Sequence, residues 1–360
     1  MSYKPSCVDS PLALACLDDV WMGLEPACTG AEISRLLDEI VERGFNAVRV
    51  DPCPHLLMAG SEATLNSPRG RPITLPILSR FEQLLSGARQ RGLKLWLTSR
   101  FYDDHAARRS FVRRPEDFAD AWLSTLAIAD RWKGLDAIAG IDFCYHFPAM
   151  PYAHGIVRRV FGRSPERGLP RHWNEVQQHA VQSYFQQVPA LIKAHYPTLP
   201  VGVSGSPEWW PYIRDMDLSA LDFLSLSVWL DEDPHYRLLT GVNLPVPKPL
   251  SRIGKSVGRW MLAMTEEHWE NRLETHLLQQ LAFSRVRGLE PVVGEGYFAA
   301  SEFHMSLSKS LGDMQELLVV RAINDGVRVM TPSSMARPCT PGLWQEIDYL
   351  RHLNAMIKDA

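Results

Sequence analysis

Glu290-Pro291-Val292-Val293-Gly294-Glu295-Gly296-Tyr297-Phe298 is the stretch on which the reading of this chain turns. Three apolar residues run into a carboxylate flanked by glycines, with an aromatic close behind. A short apolar run that opens abruptly onto Gly-Glu-Gly has the form of a buried parallel strand ending at a pocket. The glycines let the backbone come close to a ligand and leave the carboxylate uncrowded. The plainer alternative is a strand that ends in an ordinary charged turn, and the stretch alone does not separate the two.

Working outward, the same unit recurs. A helical pattern over about 267–287 stops at Gly288, just before the strand. Gly44, Gly92 and Gly326 likewise end helical patterns just before apolar runs. Those runs are 45–51, 93–100 and 326–331, and further strands are expected at 137–144, 200–204 and 222–229. Leu12 to Leu24 is mainly apolar, and a first strand is expected in it near Val20-Trp21-Met22-Gly23, ahead of a helix opened by the capping pattern Thr29-Gly30-Ala31-Glu32. Helices are expected over about 78–91, 115–132, 174–195, 314–324 and 341–357. The segment 51–76 reads as a loop, and 151–171 and 240–258 as insertions, the first basic and the second proline-rich. About eight short strands separated by helices indicate an α/β fold with a parallel sheet, and 360 residues suit a single (β/α)8 TIM barrel domain. The competitor is an open doubly wound sheet. No Gly-x-Gly-x-x-Gly opens a helix after the first strand, so a dinucleotide site has no support.

Composition narrows the function classes. Apolar residues make up 46% and charged residues 22%, with a net charge of −3, so no general electrostatic case exists for nucleic acid or anionic membranes. No apolar run is long enough to cross a bilayer, and no signal peptide pattern opens the chain. Six scattered cysteines without a Cys-x-x-Cys pair suggest free thiols in a cytoplasmic protein. Neither a metal nor a cofactor is expected: Asp103-Asp104-His105 lacks partner spacing. Eleven tryptophans suit a sugar-stacking cleft or a rich core equally.

In such a barrel the residues just past each strand converge on one rim. That rule nominates Asp51 and His55; Arg100, Tyr102, Asp103 and Asp104; Tyr145 and His146; Glu208, Trp209 and Trp210; Trp229, Asp231 and Glu232; Glu295 and Tyr297; and Ser333, Ser334 and Arg337. Carboxylates mixed with aromatics are what a carbohydrate cleft needs, because aromatic faces pack on sugar C–H faces and carboxylates work on the glycosidic bond.

The motifs Gly-Phe-Asn-Ala-Val-Arg-Val (44–50), Gly-Leu-Lys-Leu-Trp-Leu-Thr-Ser (92–99), Gly-Ile-Asp-Phe-Cys-Tyr-His-Phe-Pro (140–148) and Pro-Val-Val-Gly-Glu-Gly-Tyr (291–297) together resemble the cellulase-like barrels related to glycoside hydrolase family 5, in clan A. The resemblance implies a retaining glycosidase with a nucleophilic glutamate after the seventh strand and an acid/base glutamate after the fourth. Glu295 stands at the first position. Arg49 matches the arginine that sits beneath the nucleophile, where a cation favours the ionised carboxylate; a structural ion pair with Asp51 is the alternative. The fourth strand departs from the pattern. Relatives carry Asn-Glu before an aromatic and proline, whereas this chain has Tyr145-His146-Phe147-Pro148, which puts His146 in the acid/base slot. Alternation along the strand is expected to point Asp142, Cys144 and His146 inward. The sixth strand departs too, with Ser227-Val228-Trp229 in place of His-x-Tyr. Three accounts stand open: a glycosidase with a replaced acid, a barrel that only binds sugar, and a barrel turned to other chemistry. The oligomeric state is left open.

Overall fold

The structure, a computed structural model, describes residues 6–18, 20–22, 32–66, 72–101, 112–148, 154–163, 170, 172–205, 210–230, 233, 235, 266–297, 309–334, 336–339 and 342–360. The apolar runs form strands β1 (Leu12–Asp18), β2 (Ala47–Val50), β3 (Ala63–Asn66), β4 (Pro72–Leu75), β5 (Lys94–Thr98), β6 (Ile138–Asp142), β7 (Val201–Gly205), β8 (Phe223–Trp229), β9 (Glu290–Tyr297) and β10 (Val329–Met330). All but β3 and β4 close into one barrel, in the order β1-β2-β5-β6-β7-β8-β9-β10. Every pairing around the barrel is parallel. Helices follow the strands: α1 (Ile33–Glu42), α3 (Ile77–Gln90), α4 (Pro115–Arg131) and α6 (Glu175–Lys193), then Glu266–Val286, Lys309–Asn324 and Ile347–Lys358. This is the expected (β/α)8 barrel. The reason is legible in α1, where Ile33, Leu36, Leu37 and Ile40 are buried at three- and four-residue spacing and one apolar stripe packs on the sheet.

The strands carry two cores of different character. Val48, Leu95, Val203, Leu226 and Val293 point outward into the layer shared with the helices. Leu12, Leu14, Ala47, Trp96, Phe223, Val292 and Val329 point inward and plug the barrel, with the Trp96 and Phe223 rings 4.6 Å apart. Above that plug the buried inward residues turn polar: Thr98, Asp142, Ser204, Ser225 and Thr331. A dry floor under a polar upper layer leaves buried charge only one end of the barrel to occupy.

Several expectations need correction. The first strand is Leu12–Asp18, and Val20–Met22 is a 3-10 turn beyond it. The 51–76 segment is not an irregular loop: it holds a short helix, α2 (Pro54–Ala59), and the β3–β4 hairpin. The basic 151–171 segment contains a helix, α5 (His154–Phe161). Cys7, Cys16, Cys53 and Cys144 are free thiols, but Cys339 stands in a disulfide. That removes the ground on which a reducing compartment was expected. No helix among the described residues is long and apolar enough to cross a membrane. The 240–258 insertion lies outside the described residues.

Candidate active site

Glu295 is brought inward by a fault in the strand pairing. Val292 faces the barrel interior, so strict alternation would carry Gly294 inward and Glu295 outward. The β8–β9 register shifts at this point: Leu226 pairs with Val293, but Ser227 pairs with Glu295. The extra residue is Gly294, and the bulge re-aims the carboxylate into the barrel mouth. Glycine at 294 leaves room for the Ser225 hydroxyl, since a Cβ there would lie 2.3 Å from Ser225 Oγ and force it to shift.

The carboxylate is 4% exposed and meets donors on both oxygens. Oε1 accepts from Arg49 Nη2 at 2.7 Å and Arg100 Nη2 at 3.3 Å. Oε2 accepts from the Tyr145 hydroxyl, from Trp229 Nε1 at 3.3 Å and from Ser227 Oγ at 3.4 Å. His146 Nε2 lies 3.9 Å from the same oxygen. The expectation of an uncrowded carboxylate is therefore wrong; the flanking glycines admit protein donors instead. Burial works against the charge on Glu295, but the Arg49 and Arg100 guanidiniums overcome it and hold the group down to about 2.

Arg49 pairs with Asp18 rather than Asp51. Its Nε donates to Asp18 Oδ1 at 2.8 Å and its Nη2 to Asp18 Oδ2 at 2.7 Å, while Nη1 donates to the Gly294 carbonyl. Arg100 reaches Asp18 Oδ2 at 3.3 Å, and its guanidinium lies 4.5 Å over the Tyr145 ring, a stacked cation–π contact. Sequence reasoning missed Asp18. The signal is its place at the end of the first barrel strand, Leu12–Asp18, which lies ahead of the 20–23 stretch where the sequence puts that strand.

His146 is in the site, although not by strand alternation. β6 ends at Asp142, and His146 adopts a left-handed φ of 49° in the turn that follows. Its backbone N–H donates to Ser204 Oγ at 2.8 Å, its Nε2 lies 3.2 Å from Ser227 Oγ, and its ring stacks on Tyr145 with centroids 4.1 Å apart. Burial lowers its pKa to about 4, with Arg100 and Arg49 adding to that effect and Glu295 opposing it. The ring is neutral at pH 7.

Asp51, expected to meet substrate, is 1% exposed and accepts the backbone N–H groups of Cys53 at 2.8 Å and Arg100 at 2.7 Å. It fastens the turn after β2 to the end of β5. Burial pushes its pKa up to about 6, against those hydrogen bonds. Asp142 is held in the same way by Thr98 Oγ1 at 3.0 Å and the Ser204 N–H at 2.9 Å, and burial likewise raises it to about 6. Trp210 stacks on Phe283 at 4.9 Å, which is packing. Ser334 ties the segment after β10 to β9 through Gly296, its N–H on the Gly296 carbonyl and its hydroxyl accepting the Gly296 N–H at 3.0 Å. Tyr102, Asp103, Asp104, Glu208, Trp209, Asp231, Glu232 and the Tyr297 side chain lie outside the described residues. A cavity of about 950 Å³ lined by Ser6, Cys7, Lys193 and Glu290 opens at the opposite end of the barrel, where the strands begin, and is separate from this chemistry.

The arrangement presents an ionised carboxylate with aromatic and cationic neighbours at the C-terminal ends of the barrel strands. A candidate glycoside hydrolase from Parabacteroides distasonis has a similar structure, with a TM-score of 0.82 and 20% identity over 97% of this chain and 94% of its own. An endocellulase from Pyrococcus horikoshii in complex with cellotetraose superposes with a TM-score of 0.54 and 15% identity, covering 96% of this chain and 92% of its own. An endo-β-1,4-mannanase from Thermotoga petrophila gives 0.57 and 10%, covering 98% and 77%. These likenesses are of fold. No curated protein sequence matches the chain. The model of one family does match, over residues 14–358, and the chain thereby belongs to the sugar-binding cellulase-like family.

Proposed function

We propose that the protein is a retaining glycosidase in which Glu295 attacks the anomeric carbon and His146 serves as proton donor. The observation that carries this reading is the Glu295 carboxylate, buried at the barrel mouth and kept ionised between Arg49 and Arg100. A nucleophile must be charged at working pH, and paired cations in a low-dielectric site secure that. In the first step a Glu295 oxygen bonds to the anomeric carbon as the bond to the leaving oxygen breaks. His146 gives its proton to that oxygen, and water later releases the sugar with neutral His146 as base. Arg100, Tyr145 and Trp229 border the sugar nearest the nucleophile. Tyr102, Asp103, Glu208, Trp209 and Tyr297 extend the substrate-binding set on sequence grounds.

The two ionisations set a pH window. Glu295 is charged above about 2 and His146 is protonated below about 4. Glycosides with poor leaving groups are therefore turned over in acid. Aryl glycosides with good leaving groups need no proton and are turned over at pH 7 as well. The test is a panel of both substrate types across pH 3–8, together with a 2-fluoro-glycoside and mapping of the labelled peptide. Labelling at Glu295, and a fall of ~10³-fold or more in Glu295→Ala, are expected. An unlabelled protein that turns over neither type sinks the enzymatic reading.

A second reading, a barrel that binds sugar without hydrolysing it, is favoured by one observation. Both Glu295 oxygens already hold two or three donors each, whereas a nucleophile must free a lone pair. Calorimetry against cello- and manno-oligosaccharides, with product analysis of the same mixtures, separates the two readings.

A further inference from the structure

We propose that Asp18 is a positioning residue that holds the Arg49 and Arg100 guanidiniums against Glu295 and balances their charge. The inference rests on Glu295 being the working carboxylate of the site, and it concerns a residue to which neither the motifs nor the family pattern gives a role.

Three observations carry it. The first is backbone geometry. Asp18 sits at a left-handed φ of 38°, which is unfavourable for a residue with a Cβ. The β1–β2 register also shifts between Cys16 and Asp18, so that Asp18 pairs with Val50 rather than Asp51. The main chain is locked there by the Asp51 N–H on the Asp18 carbonyl at 3.0 Å. Strain of this kind persists where surrounding structure enforces it, and it gathers at functional sites.

The second is how the arginines spend their donors. Arg49 commits Nε and Nη2 to the two Asp18 oxygens, and Nη1 to the Gly294 carbonyl. A planar fork caught at three points has one orientation, and in that orientation Nη2 also reaches Glu295. Arg100 Nη2 stands 3.3 Å from both Asp18 Oδ2 and Glu295 Oε1. Asp18 is thus the shared partner of the two guanidiniums that, among the described residues, touch the reacting carboxylate.

The third is charge. Among the described residues two carboxylates and two guanidiniums alternate, and this quartet sums to zero. Asp18 is 4% exposed and Arg49 3%, so solvent does little to screen an imbalance. Without Asp18, the two cations would keep one carboxylate among the described residues, and the quartet would carry a net positive charge in a desolvated site.

The test is a double-mutant cycle between Asp18→Asn and Arg100→Met, read by urea unfolding at pH 7. Asparagine keeps the shape and removes the charge. Each single variant is expected to lower the urea midpoint. The double variant, which restores neutrality, is expected to unfold at or above the midpoint of Asp18→Asn alone. Losses that add instead overturn the proposal, because a residue serving only to fill space has no reason to couple to Arg100 with that sign. A parallel arm measures fluoro-glycoside labelling of Glu295 in folded Asp18→Asn. A drop of roughly tenfold or more is expected, and a rate within twofold of wild type counts against positioning. The cycle needs no catalysis, so a wild type that fails to label refutes the glycosidase while the cycle still decides on Asp18.

Discussion

Replacing Arg49 by methionine keeps most of the side chain's length and removes the charge at the centre of the site. In the native protein its Nη2 lies 2.7 Å from a carboxylate oxygen of both Asp18 and Glu295. At an effective dielectric of 20, each contact represents roughly 6 kcal/mol of gross attraction. Much of that offsets the desolvation of three buried groups. Removing one partner of such a set leaves the others uncompensated, and the expected loss is ~3–5 kcal/mol at pH 7. The pH dependence sharpens the test. In the native protein Glu295 is held below its reference value of 4.5, at about 2, so its ~3 kcal/mol contribution is present above 4.5 and is lost only as pH falls through 2. In the variant, Asp18 and Glu295 are buried with Arg100 as the one guanidinium left between them among the described residues. Their folded pKa values rise above the unfolded ones, so the variant becomes less stable as pH rises through them. The stability gap between the two proteins should therefore narrow from pH 7 to pH 5. Urea unfolding at pH 5, 6 and 7 measures it. A gap below ~1 kcal/mol at pH 7, or one that widens in acid, refutes the reasoning that Arg49 is held in place by charge.

Tyr145→Phe removes one donor from Glu295 Oε2. A hydrogen bond to a charged group contributes ~1.5–3 kcal/mol, so Glu295 should titrate at higher pH, and a carboxyl ¹³C titration of the variant beside wild type checks the direction. His146 has a folded pKa of about 4 against a reference of 6.5. The unfolded chain takes up its proton first, and ~3 kcal/mol is lost as pH falls from 6.5 to 4. Asp51 and Asp142, raised to about 6, pull the other way in the same interval. The His146 contribution is therefore read as the difference between wild type and His146→Gln, whose stability should fall less on acidification. Asp51→Asn keeps one acceptor and removes a carboxylate that burial makes costly above its reference value of 3.8. Its urea midpoint should lie further below wild type at pH 4 than at pH 7, and the opposite order would show that the charge itself stabilises the turn.

Much of the fold was legible because local rules and tertiary packing agree. Apolar runs behind Gly44, Gly92, Gly288 and Gly326 became barrel strands, and the amphipathic runs between them became helices, since one stripe of each must be covered. Arg49 was legible through the family resemblance, and alternation agrees with it: Ala47 faces the barrel plug, so Arg49, two residues on, faces the same way. Glu295 was legible as a strand-end carboxylate but not as an inward one. Alternation from Val292 points it away from the site, and the bulge at Gly294 exists only where β9 meets β8. Asp18 depends in the same way on a register slip against β2, and His146 on a left-handed turn after β6. Those features are properties of pairs of strands and of the donors packed around them. A single chain read in order specifies which side chains are available and roughly where strands end; how two neighbouring strands slip past each other decides which of those side chains meet, because one residue of slip turns a side chain to the opposite face.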